Sequence, residues 1–195
     1  ASGAITVNVT TEGDLTGADT LTGGTGTDIL NITFAGSGTV TASEMGGVTK
    51  FEKITSASNA AGSLVLADAN NATSEITVDV TNNTSAAFTL DASAEDDGNI
   101  VYLGGAGIDT VTATAKNDTI TLGAGADIYT GTQGSDTISG GAGADDYNYT
   151  AVNQSTGTTR DSISDFKTVG ADTFTFTINN STNTSGQTYD ATIKT

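Results

Sequence analysis

Residues 104–148 read GGAGIDTVT ATAKNDTIT LGAGADIYT GTQGSDTIS GGAGADDYN, five nonapeptides laid end to end without a gap. Asp109, Asp118, Asp127, Asp136 and Asp145 recur every nine residues, and Val111, Ile120, Tyr129, Ile138 and Tyr147 each follow by two. A repeat this short cannot bury an apolar face alone, so neighbouring units must stack. The first six residues of each unit suit a turn, where Gly accepts tight bends and points carbonyls inward while Asp adds a carboxylate. The last three suit a short strand whose large apolar residue faces a core. Two units make one coil of a right-handed parallel β-roll. Residues eighteen apart then share an edge, with Asp109, Asp127 and Asp145 on one and Asp118 and Asp136 on the other.

Strands in such a stack lie about 4.8 Å apart, so the carboxylates of one edge repel strongly unless a cation sits between them. Calcium suits the position, because it takes six to eight oxygens in loose geometry, and turn carbonyls and paired Asp groups supply them. Magnesium asks for a stricter octahedron, and zinc for nitrogen or sulfur. Metal-free Asx turns explain a single such motif, but five aspartates at constant spacing favour calcium. The edges are unequal. Turns 104–109, 122–127 and 140–145 keep their second and fourth glycines, whereas turn 113–118 reads ATAKND and places Lys116 where a Gly is expected. The Asp109/Asp127/Asp145 edge is therefore the expected calcium edge, and Asp118/Asp136 a weak or altered one.

Working upstream, Leu64, Ile76, Phe88 and Ile100 are twelve apart, as are Ile54, Leu66, Val78, Leu90 and Tyr102. Strands with two inward residues and longer polar turns account for that spacing. Tyr102 precedes Val111 by nine, so the two registers join, and residues from about 52 to 148 read as one β-solenoid. The fold class expected is all-β, a right-handed parallel β-solenoid or β-roll with short capping strands at both ends. Its parts are an N-terminal β segment (1–51), a solenoid of 12-residue half-coils (52–103), the calcium-binding roll (104–148) and a C-terminal β cap (149–195). The N-terminal segment holds one isolated coil of repeat, GADTLT then GGTGTDILN, with Asp19 and Asp28 nine apart. Calcium bound against a neighbouring coil, or two metal-free Asp turns, fit it equally. At the other end, Ile163, Phe166, Phe174, Phe176 and Ile178 offer an apolar cover.

Composition narrows the chemistry. The chain has 195 residues, 23 acidic against 6 basic side chains, a formal charge of −17, and no His, Cys, Pro or Trp. Ser-His and Cys-His nucleophile pairs, disulfides, and ordinary zinc, haem or iron–sulfur sites are excluded. Nucleic-acid binding is disfavoured for want of a basic patch, and insertion into a membrane for want of an apolar run longer than Ile100–Leu103. Asp96-Asp97 and Asp145-Asp146 are candidate carboxylate pairs for glycoside chemistry, but both fall in expected turns with no aromatic or basic groups to hold a sugar, so no enzyme is expected.

At Gly104–Asn148 the sequence resembles the RTX calcium-binding proteins secreted by bacterial type I systems. The likeness extends to Asp161-Ser162-Ile163-Ser164-Asp165-Phe166 with Gly170-Ala171-Asp172, a D-x-I-x-D-F…G-x-D segment of the kind that follows such repeats. The resemblance implies Asp109, Asp118, Asp127, Asp136 and Asp145 as calcium ligands and Gly105, Gly107, Gly123, Gly125, Gly141 and Gly143 as turn positions. It also implies folding outside the cell, driven by calcium. A solenoid joined to such coils without an enzyme module is similar to the surface-layer members of the family. That likeness implies a secreted subunit of a cell-surface lattice or filament whose partner is a second copy of itself, with cell-surface polysaccharide as a further candidate partner. The other reading is the calcium-folded C-terminal module of a larger secreted hydrolase or adhesin. Each bound calcium would remove two units of negative charge and ease contact between copies, while acid, by protonating the ligands, would release calcium and loosen the roll.

Overall fold

The computed structural model describes residues 3–56, 58–70, 75–151, 153–166 and 170–176, together with the backbone of 192–193. Short segments such as ITVD, FTLD and IVYL form strands in which alternate residues, Ile76 and Val78, Phe88 and Leu90, Ile100 and Tyr102, are buried on one face while Thr77, Asp79, Thr89, Asp91, Val101 and Leu103 take the other. Nine such strands form one parallel sheet, in the order Thr6–Val9, Ile29–Ile32, Lys53–Ser56, Ile76–Asp79, Ile100–Leu103, Thr119–Ala124, Thr137–Ala142, Ser162–Ile163 and Thr192–Ile193. Seven form a second parallel sheet, from Gly38–Val40 through Gly62–Val65, Phe88–Asp91, Asp109–Thr112, Ile128–Thr130 and Asp146–Tyr149 to Thr173–Phe176. Leu21–Thr22 pairs with Val48–Thr49 in a third, two-stranded sheet. The inward residues of the strands merge in one core, among them Leu30, Ile54, Val78, Tyr102, Ile120 and Ile138 from the first sheet and Leu64, Leu90, Val111, Tyr129 and Tyr147 from the second.

The chain is thus an all-β parallel solenoid, and its coils tighten along the sequence. Leu30, Ile54, Val78 and Tyr102 pair in turn at intervals of 24 residues, then Tyr102, Ile120 and Ile138 at 18. The nine-residue motif shortens the turns without interrupting the ladder.

Two details differ from the sequence expectation. The solenoid does not begin near residue 52. Its first rung is Thr6–Val9, paired with Ile29–Ile32, so the ladder runs through positions 51/52, 103/104 and 148/149 and the strands expected as caps are rungs. The second difference is register. Twelve-residue spacing aligns Leu64 with Phe88, whereas the structure pairs Leu64 with Leu90 and Gly62 with Phe88. A slip of two residues keeps every inward side chain inward, so the periodicity cannot detect it. Packing selects it: a Cβ at Gly62 would lie 2.6 Å from the Phe34 ring, and Phe34 meets Phe88 edge to face at 5.4 Å.

The C-terminal rungs carry the expected apolar cover. Ile163 and Phe166 are buried, and the Phe174 ring lies 4.9 Å from Phe166 and 5.5 Å from Tyr147. Phe176 stacks on Phe174 but stays 43% exposed, and Ile178 lies outside the described residues. Among the described residues no helix is long and apolar enough to cross a membrane.

Candidate metal centre

The turns of the tight coils nest so closely that side chains are excluded from them. Gly125 and Gly143 adopt φ of +145° and +142°, a region that L side chains rarely enter. A Cβ on Gly143 would lie 1.3 Å from the Gly125 carbonyl oxygen, and one on Gly125 2.3 Å from that of Gly107. Gly105, Gly107, Gly123 and Gly141 likewise abut a backbone carbonyl oxygen of the preceding coil. Carbonyl oxygens are therefore stacked along the edge that carries Asp109, Asp127 and Asp145.

The three aspartates point inward and are at most 1% exposed. Each reaches back one coil. Asp109 Oδ1 accepts the N–H of Phe88 at 3.2 Å, Asp127 Oδ1 that of Asp109 at 2.7 Å, and Asp145 Oδ1 that of Asp127 at 3.0 Å. Asp109 Oδ2 also takes the Gly105 N–H at 3.1 Å. Oδ2 of Asp127 and Oδ2 of Asp145 are buried and have no hydrogen-bond partner among the described residues, and the Tyr102 and Tyr147 hydroxyls share that condition. Burial lifts the Asp109 carboxyl to about 6 and, with the neighbouring Asp109 and Asp145 charges, the Asp127 carboxyl to about 7. Asp145 is raised by burial and by the charges of Asp172 and Asp165. Partnerless buried carboxylate oxygens are costly, and stacked carbonyls beside them complete an all-oxygen donor set that fits calcium.

The other edge carries Asp118 and Asp136, also buried. Oδ1 of Asp118 accepts the Ile100 N–H at 2.7 Å and Oδ1 of Asp136 the Asp118 N–H at 2.9 Å, so the same ladder runs here. Both columns continue past the repeats. Asp161 Oδ1 accepts the Asp136 N–H at 3.0 Å, and Asp172 Oδ1 accepts the Asp145 N–H at 3.1 Å. Asp165 takes the N–H groups of Gly140 and Gly141 at 3.0 and 2.8 Å and the Ser139 hydroxyl at 2.7 Å, so a side chain of the next coil satisfies the start of the last tight turn. Asp161, Asp165 and Asp172 were missed as site residues because insertions lengthen the coil intervals to 25 and 27 residues. The signal that could have found them was the D-x-I-x-D-F…G-x-D segment itself.

Asp19 and Asp28 belong to different settings. Asp19 Oδ2 closes its own turn by accepting the N–H and hydroxyl of Thr16, and the pairing of Leu21 with Val48 brings no acidic residue beside it. Asp28 is fully buried, accepts the N–H of Ile5 and of Gly24 at 2.6 Å each, and donates its own N–H to Glu52 Oε2 at 2.7 Å. It thus repeats the one-coil carboxylate ladder with both of its oxygens partnered. Asp68, Asp96 and Asp97 bring carboxylate oxygens within 4.8 Å of one another, all exposed, and Asp68 raises the Asp96 carboxyl.

The family whose model matches the chain is the RTX calcium-binding nonapeptide repeat, over residues 14–31, 103–138 and 123–151. No curated protein and no solved structure matches the chain. The matched coils thus carry the RTX calcium-binding nonapeptide repeat within a β-solenoid. The matched segments hold Asp19, Asp28 and all five repeat aspartates, while Asp161, Asp165 and Asp172 lie beyond them.

Proposed function

We propose that the chain is a calcium-dependent structural protein, without catalytic activity, whose solenoid is completed by ions bound between the turns of the Asp109/Asp127/Asp145 edge and on to Asp172. The observation that carries this reading is the pair of buried, partnerless oxygens, Oδ2 of Asp127 and Oδ2 of Asp145, one coil apart. Bound calcium would supply the positive charge that these carboxylates lack, and the chain's own glycine carbonyls would complete the shell. Asp165 would hold the last turn in shape, and Asp172 would close the column.

RTX repeats occur in extracellular secreted proteins, which supports a place outside the cell. Within that class we favour a subunit of a bacterial surface layer or filament that associates with copies of itself. Its charge of −17 opposes such contact, and three ions would bring it to about −11. Sedimentation velocity of the chain in EGTA, then across calcium from micromolar to ten millimolar, tests the reading. Compaction followed by large ordered species is expected. A compact monomer throughout the calcium series points to the alternative, a calcium-folded module of a larger secreted hydrolase or adhesin.

A further inference from the structure

The five repeat aspartates occupy two edges, and the chain satisfies them by different means. On the first, both oxygens of Asp109 have a donor, but Oδ2 of Asp127 and Oδ2 of Asp145 find none among the described residues. On the second, every carboxylate oxygen has one from the protein. Asp118 Oδ1 accepts the Ile100 N–H and the Thr114 hydroxyl at 2.7 and 2.9 Å, and its Oδ2 accepts the Thr114 N–H at 2.9 Å. Asp136 gives Oδ1 to the Asp118 N–H at 2.9 Å and Oδ2 to the Tyr129 hydroxyl at 2.5 Å. Asp161 gives Oδ1 to the Asp136 N–H at 3.0 Å and Oδ2 to the Tyr149 hydroxyl at 2.7 Å.

Among these donors Thr114 stands at a position that sets this edge apart. Thr114 is the second residue of its turn, where the first edge has Gly105, Gly123 and Gly141. Thr132 repeats the exchange 18 residues later, its hydroxyl buried beside Asp136 without closing a full hydrogen bond. Tyr129 and Tyr149 come from the seven-stranded sheet and cross the core to reach aspartates that precede strands of the nine-stranded sheet. Gly131 leaves the space for this, since a Cβ there would lie 2.5 Å from the Tyr149 ring.

We propose that the second edge is a metal-free seam, in which the hydroxyls of Thr114, Tyr129 and Tyr149 replace cations at Asp118, Asp136 and Asp161, so that calcium enters on the first edge alone. Short hydrogen bonds from a hydroxyl to a carboxylate are charge-assisted and saturate the oxygens a cation would need. A calcium ion here would displace them and leave buried phenol groups unpaired. The seam is then complete before any ion arrives, and one side of the roll stands ready for the other to close on.

This inference rests on the calcium reading of the first edge, and native mass spectrometry of the whole chain in calcium separates the two. Asp127→Asn is expected to lose at least one ion relative to wild type, and Asp136→Asn to keep the wild-type count. A lowered count in Asp136→Asn overturns the seam and leaves the calcium reading standing. A wild-type chain that binds no calcium overturns the calcium reading itself. Should Asp136→Asn fail to fold, Tyr129→Phe addresses the same edge. It is expected to keep the calcium count and to melt lower in EGTA, whereas a lowered count would make the phenol oxygen a ligand and overturn the seam.

Discussion

Asp127 binds the backbone N–H of Asp109, one coil away, through Oδ1 at 2.7 Å, while its Oδ2 is buried without a partner. One oxygen ties adjacent coils together and the other is left without a donor. Removing the charge but keeping the shape separates these roles. Asp127→Asn should melt at or above wild type in EGTA at neutral pH, because it relieves an uncompensated buried carboxylate. In calcium it should melt below wild type, by about 1–3 kcal/mol of stability. Thermal melts of both proteins in both conditions check the crossing. A variant that shifts the same way with and without calcium would refute an ion at this oxygen.

The pH dependence has opposite signs in the two states. Asp109 and Asp127 titrate near 6 and 7 in the folded metal-free chain, above the ordinary carboxylate value of 3.8. Asp118 and Asp161 are likewise lifted to about 7 by burial. The folded state therefore holds more protons than the unfolded one, and its stability falls as pH rises from about 4 to about 7. In EGTA the chain should melt higher at pH 5 than at pH 8. Calcium competes with those protons, so its affinity should climb through the same window. The sequence expectation that acid loosens the roll thus applies to the loss of calcium, while in the metal-free chain protons stabilise the buried aspartates. Denaturant unfolding at pH 5, 6.5 and 8, with and without calcium, reads both slopes.

Gly143→Ala tests the nesting of the turns. Its Cβ would meet the Gly125 carbonyl oxygen at 1.3 Å in a backbone region hostile to alanine, so a loss of about 2 kcal/mol or more is expected. Gly157→Ala, where a Cβ meets nothing within 4 Å, is the matched control and should change little. Urea midpoints of the two variants provide the comparison.

Asp165 lies outside the matched repeats yet caps Gly140, Gly141 and Ser139. Asp165→Ala strips two backbone amides of a charged acceptor and should cost about 2 kcal/mol. Hydrogen exchange should show the loss first at Gly140 and Gly141, with Thr6–Val9 unaffected. Uniform loss of protection along the chain would contradict a local cap.

The all-β parallel solenoid and the two aspartate columns were legible because nine-residue spacing forces one geometry: identical residues recur in contact only if coils stack. Register was not, since Leu64 paired with Phe88 or with Leu90 keeps the same face inward, and only the fit of Phe34 over Gly62 decides between them. Nor was the reach of the solenoid back to Thr6, because the half-coil spacing changes there, Val40 following Leu30 by ten residues, while the full coil holds at 24 from Leu30 to Ile54 and at 23 from Thr6 to Ile29. The extension of the columns to Asp161 and Asp172 was hidden in the same way by the inserted residues. The sequence thus determined which residues repeat, and hence the type of fold. Tertiary structure alone decided which carboxylate oxygens are left without a donor. Tyr129 and Tyr149 reach Asp136 and Asp161 across the core, and hydrogen bonds between strands of different sheets leave no trace in the spacing of either.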